Sequence, residues 1–427
     1  MTDWIQHDGE PKGNDLRERL ARTTGCGQRT YTPTLAAVSR AAGCRVWTAD
    51  GRELIDFASG VLVTNLGHAH ARFEEKFAEY SKDLPRSSYN FVTEIEIQAA
   101  ERLLCSTGSG KMERVLWAAS GSEAIQKALW ASLDCDPKRR ILLATRHGFH
   151  GKKGLAGEVS GDTSVNPNVY FFSFPMGEDK PQAHYEEELA AIGKAFEGEI
   201  AAVITEPYLG AAGSWHPPAW YHPMVRKFCD DQGAALIWDE VQSCHGRTGH
   251  MYAFQGYGVE PDLLVLGKGL ANGEPCAAVI GKGKYIDALT YGEASDTFSG
   301  NPRACAAVCA VLDVFEEEGI LAHCREVAAC CREKLDELVA AFPFLTAVRG
   351  EGLVFGLECA SPESAQACVL EAYRGVDNKG VHFLGPLAKK VLRVSPPLII
   401  TKAELDEAFA LLHQCFNRVG AAAGAVV

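Results

Sequence analysis

The sequence has no excess of positive charge. Its 42 lysines and arginines face 55 aspartates and glutamates, a net charge of −13 without long single-sign runs, so the basic stripe of a nucleic-acid surface is missing. No apolar run reaches membrane-spanning length, and the opening MTDWIQHDGEPKGNDLRERL has no apolar segment of the kind a secretory signal carries. Among the 15 cysteines there is no C-x-x-C pair. They are scattered through apolar helical text such as ACAAVCAVL, which reads as reduced core thiols and not as a disulfide framework or metal cluster. Repeats, low-complexity tracts and long linkers are also absent. These absences leave a soluble, mildly acidic protein, expected in the cytoplasm, with no membrane, nucleic-acid or metal partner.

With 427 residues, the chain is long enough for one large domain and a smaller one. From about residue 98 to 330, short apolar runs alternate with alanine-rich amphipathic segments. ERVLWAAS precedes SEAIQKALWASL, RRILLATR leads into a glycine-rich loop, and VYFFSF precedes HYEEELAAIGKAF. IAAVITEP, PAWYHPMVRKFCDDQG, AALIWDEV and DLLVLGKG continue the pattern. Buried strands alternating with helices predict an α/β domain with a mainly parallel sheet. One long helical stretch over about 301–340 then leads into a C-terminal α+β domain, and the last residues, GAAAGAVV, are expected to fray.

In such sheets ligands gather at the carboxyl ends of the strands, so the polar residues that end the apolar runs carry the information. They are Ser120-Gly121-Ser122, Glu206, Asp239 and Lys268, with Phe149-His150-Gly151 in a loop after another strand. Ser-Gly-Ser at a helix start offers free N–H groups and a positive dipole end to a phosphate, although a serine there is also an ordinary helix cap. Asp239 follows five apolar residues, where a carboxylate needs a cation or a protonated nitrogen. A solvated neighbour Glu240 and a helix-capping role for a buried Asp239 are the plainer alternatives. Lys268 sits between two glycines that leave its backbone free to bend. A lysine and an acid at neighbouring strand ends, with a phosphate cradle on the same edge, suit pyridoxal phosphate.

The chain here resembles the class III (ω-amino-acid type) pyridoxal-phosphate aminotransferases of fold type I. The likeness runs through GCRVWTADGRELIDFASGVLVTNLGHAH, SGSEA, GFHG, ITEPYLGAAGS, LIWDEVQSCHGRTG, PDLLVLGKGLANGEP, TFSGNP and VLRVSPPLII. It implies a large domain with a mainly parallel sheet sandwiched by helices, residues 66–310, and a small α+β domain, residues 311–427. Residues 1–65 would pack with the small domain. It further implies a Schiff base on Lys268, which also shuttles the proton, and a ring-nitrogen contact from Asp239. Val241 and Phe149 would pack on the two ring faces, Gln242 would reach the phenolic oxygen, and His150 and Gly151 would shape the loop. Gly121 and Ser122 would hold the phosphate, joined by Thr297 from a partner subunit, which makes the protein a homodimer. Arg393 would bind a substrate carboxylate and Glu206 would pair with Arg393 when a substrate lacks one. Val61, Leu62, Ser87, Ser88, Tyr89 and Trp215 are the expected substrate-pocket lining.

The implied reaction moves an amino group from an amine or ω-amino acid to an α-keto acid, pyruvate or 2-oxoglutarate, in a ping-pong cycle. The same scaffold also supports ammonia-lyases, phospho-lyases, aminomutases, racemases and decarboxylases, and a non-catalytic pyridoxal-phosphate-binding protein is a third reading. Some positions depart from the family pattern. Cys244 stands where glycine is usual, and Ala119, Ile125 and Gln126 replace Asn, Asn and Glu around the phosphate cradle. His68 and His70 in GHAH belong to the family pattern and are not read as metal ligands.

Overall fold

The computed structural model describes residues 5–28, 30, 32–177 and 180–424. The chain divides into two compact units, Ala71–Leu321 on the one hand and Met1–His70 with Ala322–Val427 on the other.

The unit Ala71–Leu321 is built on a seven-stranded sheet. Its strands are β1 (Arg114–Ala118), β2 (Ile141–Thr145), β3 (Val169–Phe172), β4 (Ile200–Thr205), β5 (Ala235–Asp239), β6 (Leu263–Leu266) and β7 (Ala277–Gly281). Their order across the sheet is β1-β7-β6-β5-β4-β2-β3. Pairings from β3 through β6 are parallel, and only β7 runs antiparallel to its two neighbours. The mainly parallel α/β architecture expected from the alternating pattern is therefore present. Every residue of β2, β4, β5, β6 and β7 is buried. That is why these strands read as unbroken apolar text and not as alternating in-and-out patterns. Side chains such as Ile204, Ile237 and Val265, all fully buried, stabilise the fold by about 1.5–3 kcal/mol each relative to exposure.

Helix α1 (Gly121–Cys135) packs on this sheet. Ala124, Ile125, Ala128 and Leu129 form its inward stripe and join one core with Leu142, Ala144, Val265 and Val279. Alanine at two of these positions lets the helix axis approach the strands closely. The long helical stretch expected over 301–340 is two helices, Pro302–Glu317 and Ile320–Ala341, because Gly319 between them adopts φ +63°.

The second unit carries two four-stranded sheets. In one, the antiparallel strands Val38–Ala42, Arg45–Thr48 and Glu53–Asp56 are joined by Lys379–His382, which runs parallel to Glu53–Asp56. The other combines Leu345–Glu351, Val354–Cys359, Val391–Val394 and Pro386–Leu387. A buried polar cluster ties the early chain to the late one. Glu10 Oε2 accepts from Arg17 at 2.7 Å and from the Tyr373 hydroxyl at 2.9 Å, while its Oε1 accepts from Arg52 at 2.8 Å. A buried glutamate is tolerated here because both oxygens are matched by charged or hydroxyl donors. The last helix, Lys402–Gly424, continues into the segment expected to fray; residues 425–427 lie outside the described residues.

Candidate active site

Because β1, β2, β4, β5 and β6 all point the same way, their carboxyl ends share one edge of the sheet. There a cavity of about 190 Å³ is lined by Ser120, Gly121, Ser122, Phe149, His150, Gly151, Glu206, Asp239, Val241, Gln242 and Lys268. Residues spread over about 150 positions are brought together by sheet order alone. Strand register does part of this work. Thr205 is opposite Trp238 and Asp239 is opposite Val265, so Glu206 and Asp239 leave neighbouring strands at one level, with Lys268 three residues beyond that level on the next strand.

The lysine at the end of β6 is held in an unusual way. Gly267 is extended, with φ −174°, whereas Lys268 itself adopts the left-handed φ of +46° and opens a single 3₁₀ turn, Lys268–Ala271. The conformational freedom expected of the flanking glycine is thus not what Gly267 supplies. Its role is space: a Cβ there would lie 3.2 Å from Val241 Cγ1. The strain sits on the lysine, and such strain concentrates at functional sites. Cys244, at the usual glycine position, is buried and donates its thiol to the Gly267 carbonyl at 3.4 Å, bracing the same turn.

Asp239 is almost fully buried and is oriented from two sides. Its Oδ2 meets His150 Nδ1 at 2.8 Å, and its Oδ1 accepts the Val241 N–H at 3.0 Å. A carboxylate beside Nδ1 places the imidazole proton on that nitrogen. His150 Nε2 is buried with no hydrogen-bond partner among the described residues. Glu206 is buried as well, and its oxygens accept the Phe149 N–H at 2.9 Å and the Gly210 N–H at 3.2 Å. Burial pushes its carboxyl up to about 7; His150 opposes the shift and nearby Asp239 adds to it. Glu240, read from sequence as solvated, is fully buried. It accepts the N–H groups of Ala253 at 2.7 Å and Phe254 at 2.8 Å, and burial pushes its carboxyl up to about 8. Gln242 lies so close to Gly210 that a Cβ at 210 would meet its Oε1 at 2.5 Å.

The fit to a phosphorylated pyridine can be tested on the cradle. Ser120 caps α1 by accepting the Glu123 N–H at 3.4 Å, and Glu123 reaches back to the Ala119 N–H at 3.0 Å. The pair satisfies the Glu123 N–H of the first turn and the Ala119 N–H just before the cap. The N–H groups of Gly121 and Ser122 are left without an acceptor among the described residues, at the positive end of a 15-residue helix. Glycine is required at Gly151, where φ is +143° and a Cβ would lie 2.5 Å from Ser122 Oγ, and space is tight at Gly121, where a Cβ would lie 3.1 Å from Val241 Cγ1. An anion cradle, a carboxylate, a lysine and flanking Phe149 and Val241 form a donor set that matches pyridoxal phosphate.

A family model described as aminotransferase class-III matches residues 26–416. The chain belongs to the class III aminotransferase family. An acetylornithine aminotransferase of Nostoc sp. is 33% identical over 409 residues, covering 92% of both chains. One from Streptomyces coelicolor is 35% identical over 384 residues, covering 89% of this chain and 91% of its own. Among solved structures, a PLP-bound amine transaminase from an uncultivated Pseudomonas species superposes with a TM-score of 0.82 at 28% identity, covering 93% of this chain and 97% of that one. The chain is thus an aminotransferase of fold type I.

Two members of the expected residue set are not in the cavity lining. Thr297 is exposed in the turn before helix Pro302–Glu317. Arg393 is buried within Val391–Val394, opposite Gly356, in the other unit. Ser87, Ser88, Tyr89 and Trp215 lie outside the lining, and Val61 and Leu62 belong to the other unit. A second cavity of about 820 Å³ shares Ser120, Ser122, Phe149 and Gly151 with the first and continues past Lys127, Lys153 and Asp296. Sequence reasoning missed the buried acceptor role of Glu240 and the contact between His150 and Asp239. The length of the apolar run before Asp239-Glu240 was a usable signal for the first; the second had none.

Proposed function

We propose that this aminotransferase is pyridoxal-phosphate dependent and passes an amino group from an ω-amino acid or amine to an α-keto acid, as a cytoplasmic homodimer. The observation that carries the reading is the single cavity in which Lys268, Asp239 and the free N–H groups of Gly121 and Ser122 converge. Pyridoxal phosphate, when bound, supplies an aldehyde and an electron-withdrawing ring that stabilises charge on the carbon bearing the amine. Gly121 and Ser122 would hold its phosphate, in a cavity that Phe149 and Val241 also line. Asp239, oriented by His150, would keep a proton on its ring nitrogen, and Gln242 would take its phenolic oxygen. Lys268 would anchor the cofactor, and its Nζ would carry a proton to and from the substrate carbon.

Glu206 takes part in substrate recognition in this proposal, its carboxyl holding an uncharged or charged state according to what approaches it, and Arg393 keeps the carboxylate-binding role that the family resemblance implies. Thr297 reaches the phosphate of a second copy. The acetylornithine aminotransferase relatives place ω-amino donors first in a substrate panel. The test follows the absorbance of the loaded enzyme on adding amines, with and without pyruvate or 2-oxoglutarate, together with an ammonia assay. A spectral change with amine alone and turnover only with keto acid are expected. Ammonia release without keto acid would convert the reading to a lyase, and wild-type turnover by Lys268→Ala would end it.

A further inference from the structure

The loop that carries Thr297 is fastened by a buried lysine, Lys127. Lys127 lies on α1, six residues beyond Gly121, and only about 4% of it is exposed. A lysine ammonium has three N–H donors, and all three are used. They go to the Trp117 carbonyl at 2.6 Å, Asp296 Oδ2 at 2.8 Å and Ser299 Oγ at 3.1 Å. Asp296 in turn gathers its own loop, with Oδ1 accepting the N–H groups of Ser299 at 2.8 Å and Phe298 at 3.3 Å. Immediately after, Gly300 presses on Trp117, where a Cβ would lie 2.8 Å from the indole Cδ1. Asn301 then caps the following helix through the Ala304 N–H at 3.0 Å. A buried ammonium is costly unless fully partnered, so its geometry leaves the turn little freedom. The turn leaves Thr297 and Phe298 exposed.

We propose that Lys127 is a positioning residue. Through Asp296 it sets the Thr297 turn at the height and orientation needed to reach the phosphate held by a second copy of the chain. The proposal rests on the reading of Thr297 given above. One helix then serves both subunits: its first turn cradles one phosphate, and its second turn aims the threonine that completes the other.

The test compares apoprotein titrated with pyridoxal phosphate and with pyridoxal, which lacks the phosphate, for wild type, Thr297→Ala, Lys127→Met and Asp296→Asn. Loss of one hydrogen bond to a charged group weakens binding by about tenfold. Thr297→Ala and Lys127→Met are each expected to weaken pyridoxal phosphate by about that factor and to leave pyridoxal within about twofold. Asp296→Asn, which keeps the Oδ1 acceptor, serves if Lys127→Met does not fold, and the same loss is expected. Equal loss of both ligands in the Lys127 or Asp296 variants marks a general structural role and overturns the proposal. So does unchanged pyridoxal phosphate binding in those variants when Thr297→Ala is weakened. Unchanged binding in Thr297→Ala removes the phosphate reading of Thr297, and the proposal falls with it.

Discussion

Replacing Lys268 once by alanine and once by glycine separates the backbone's share of this position from the amine's. Neither variant has an amine, so neither turns over, and they differ from each other by one methyl group. Lys268 holds φ +46°, a conformation in which a Cβ crowds the carbonyl oxygen at a cost of about 1–2 kcal/mol. Glycine relieves that crowding. Its greater freedom in the unfolded chain offsets about 0.4–1 kcal/mol of the gain. Lys268→Gly should therefore be more stable than Lys268→Ala by about 1 kcal/mol, the reverse of their order in a helix interior. Paired urea melts of the two apoproteins, followed by circular dichroism, measure the difference as a shift in midpoint at constant slope. An alanine variant as stable as the glycine variant, or more stable, would show that the lysine is not strained.

Glu206 gives a pH prediction of definite sign. Burial holds its carboxyl at about 7 against an ordinary 4.5, so its contribution to stability is complete below pH 4.5 and is lost as pH rises through 7. Glu206→Gln should remove that part of the apoprotein's stability-versus-pH slope, about 3 kcal/mol in all; an identical curve in both proteins would contradict the buried state. Gly151→Ala drives a methyl to 2.5 Å from Ser122 Oγ and 3.0 Å from Ala156 Cβ. It should destabilise the fold by about 1–3 kcal/mol and weaken cofactor binding, and titration with wild-type affinity would refute it. Asp239→Asn keeps the shape of the side chain but not its charge. It should lower kcat by about 100-fold or more with a small change in KM, and steady-state kinetics showing a KM effect alone would count against a role for Asp239 at the ring nitrogen.

The buried strands of the large sheet were legible because each lies wholly inside and so reads as an apolar run, from Ile141–Thr145 to Leu263–Leu266. The small sheet of the other unit was not. Its strands Val38–Ala42 and Arg45–Thr48 are short and partly exposed, and their sheet is completed by Lys379–His382 from more than 300 residues away. No local pattern encodes that pairing. Glu240 misled for a related reason. A second acid after Asp239 looks solvated until the helix Ala253–Tyr257 brings two backbone donors to it.

By itself the sequence determined which polar residues end which strands, because apolar runs and their terminations are local features. It also determined, through the order of its motifs, the family. Tertiary structure decided which of those residues meet. His150 and Asp239 are 89 residues apart and touch at 2.8 Å because β4 lies between β2 and β5 and all three run parallel. It decided, too, that the strain at the end of β6 falls on Lys268 and that the space beside Gly267 is taken by Val241. Packing across the sheet sets those contacts, and packing depends on neighbours that the chain brings from far away.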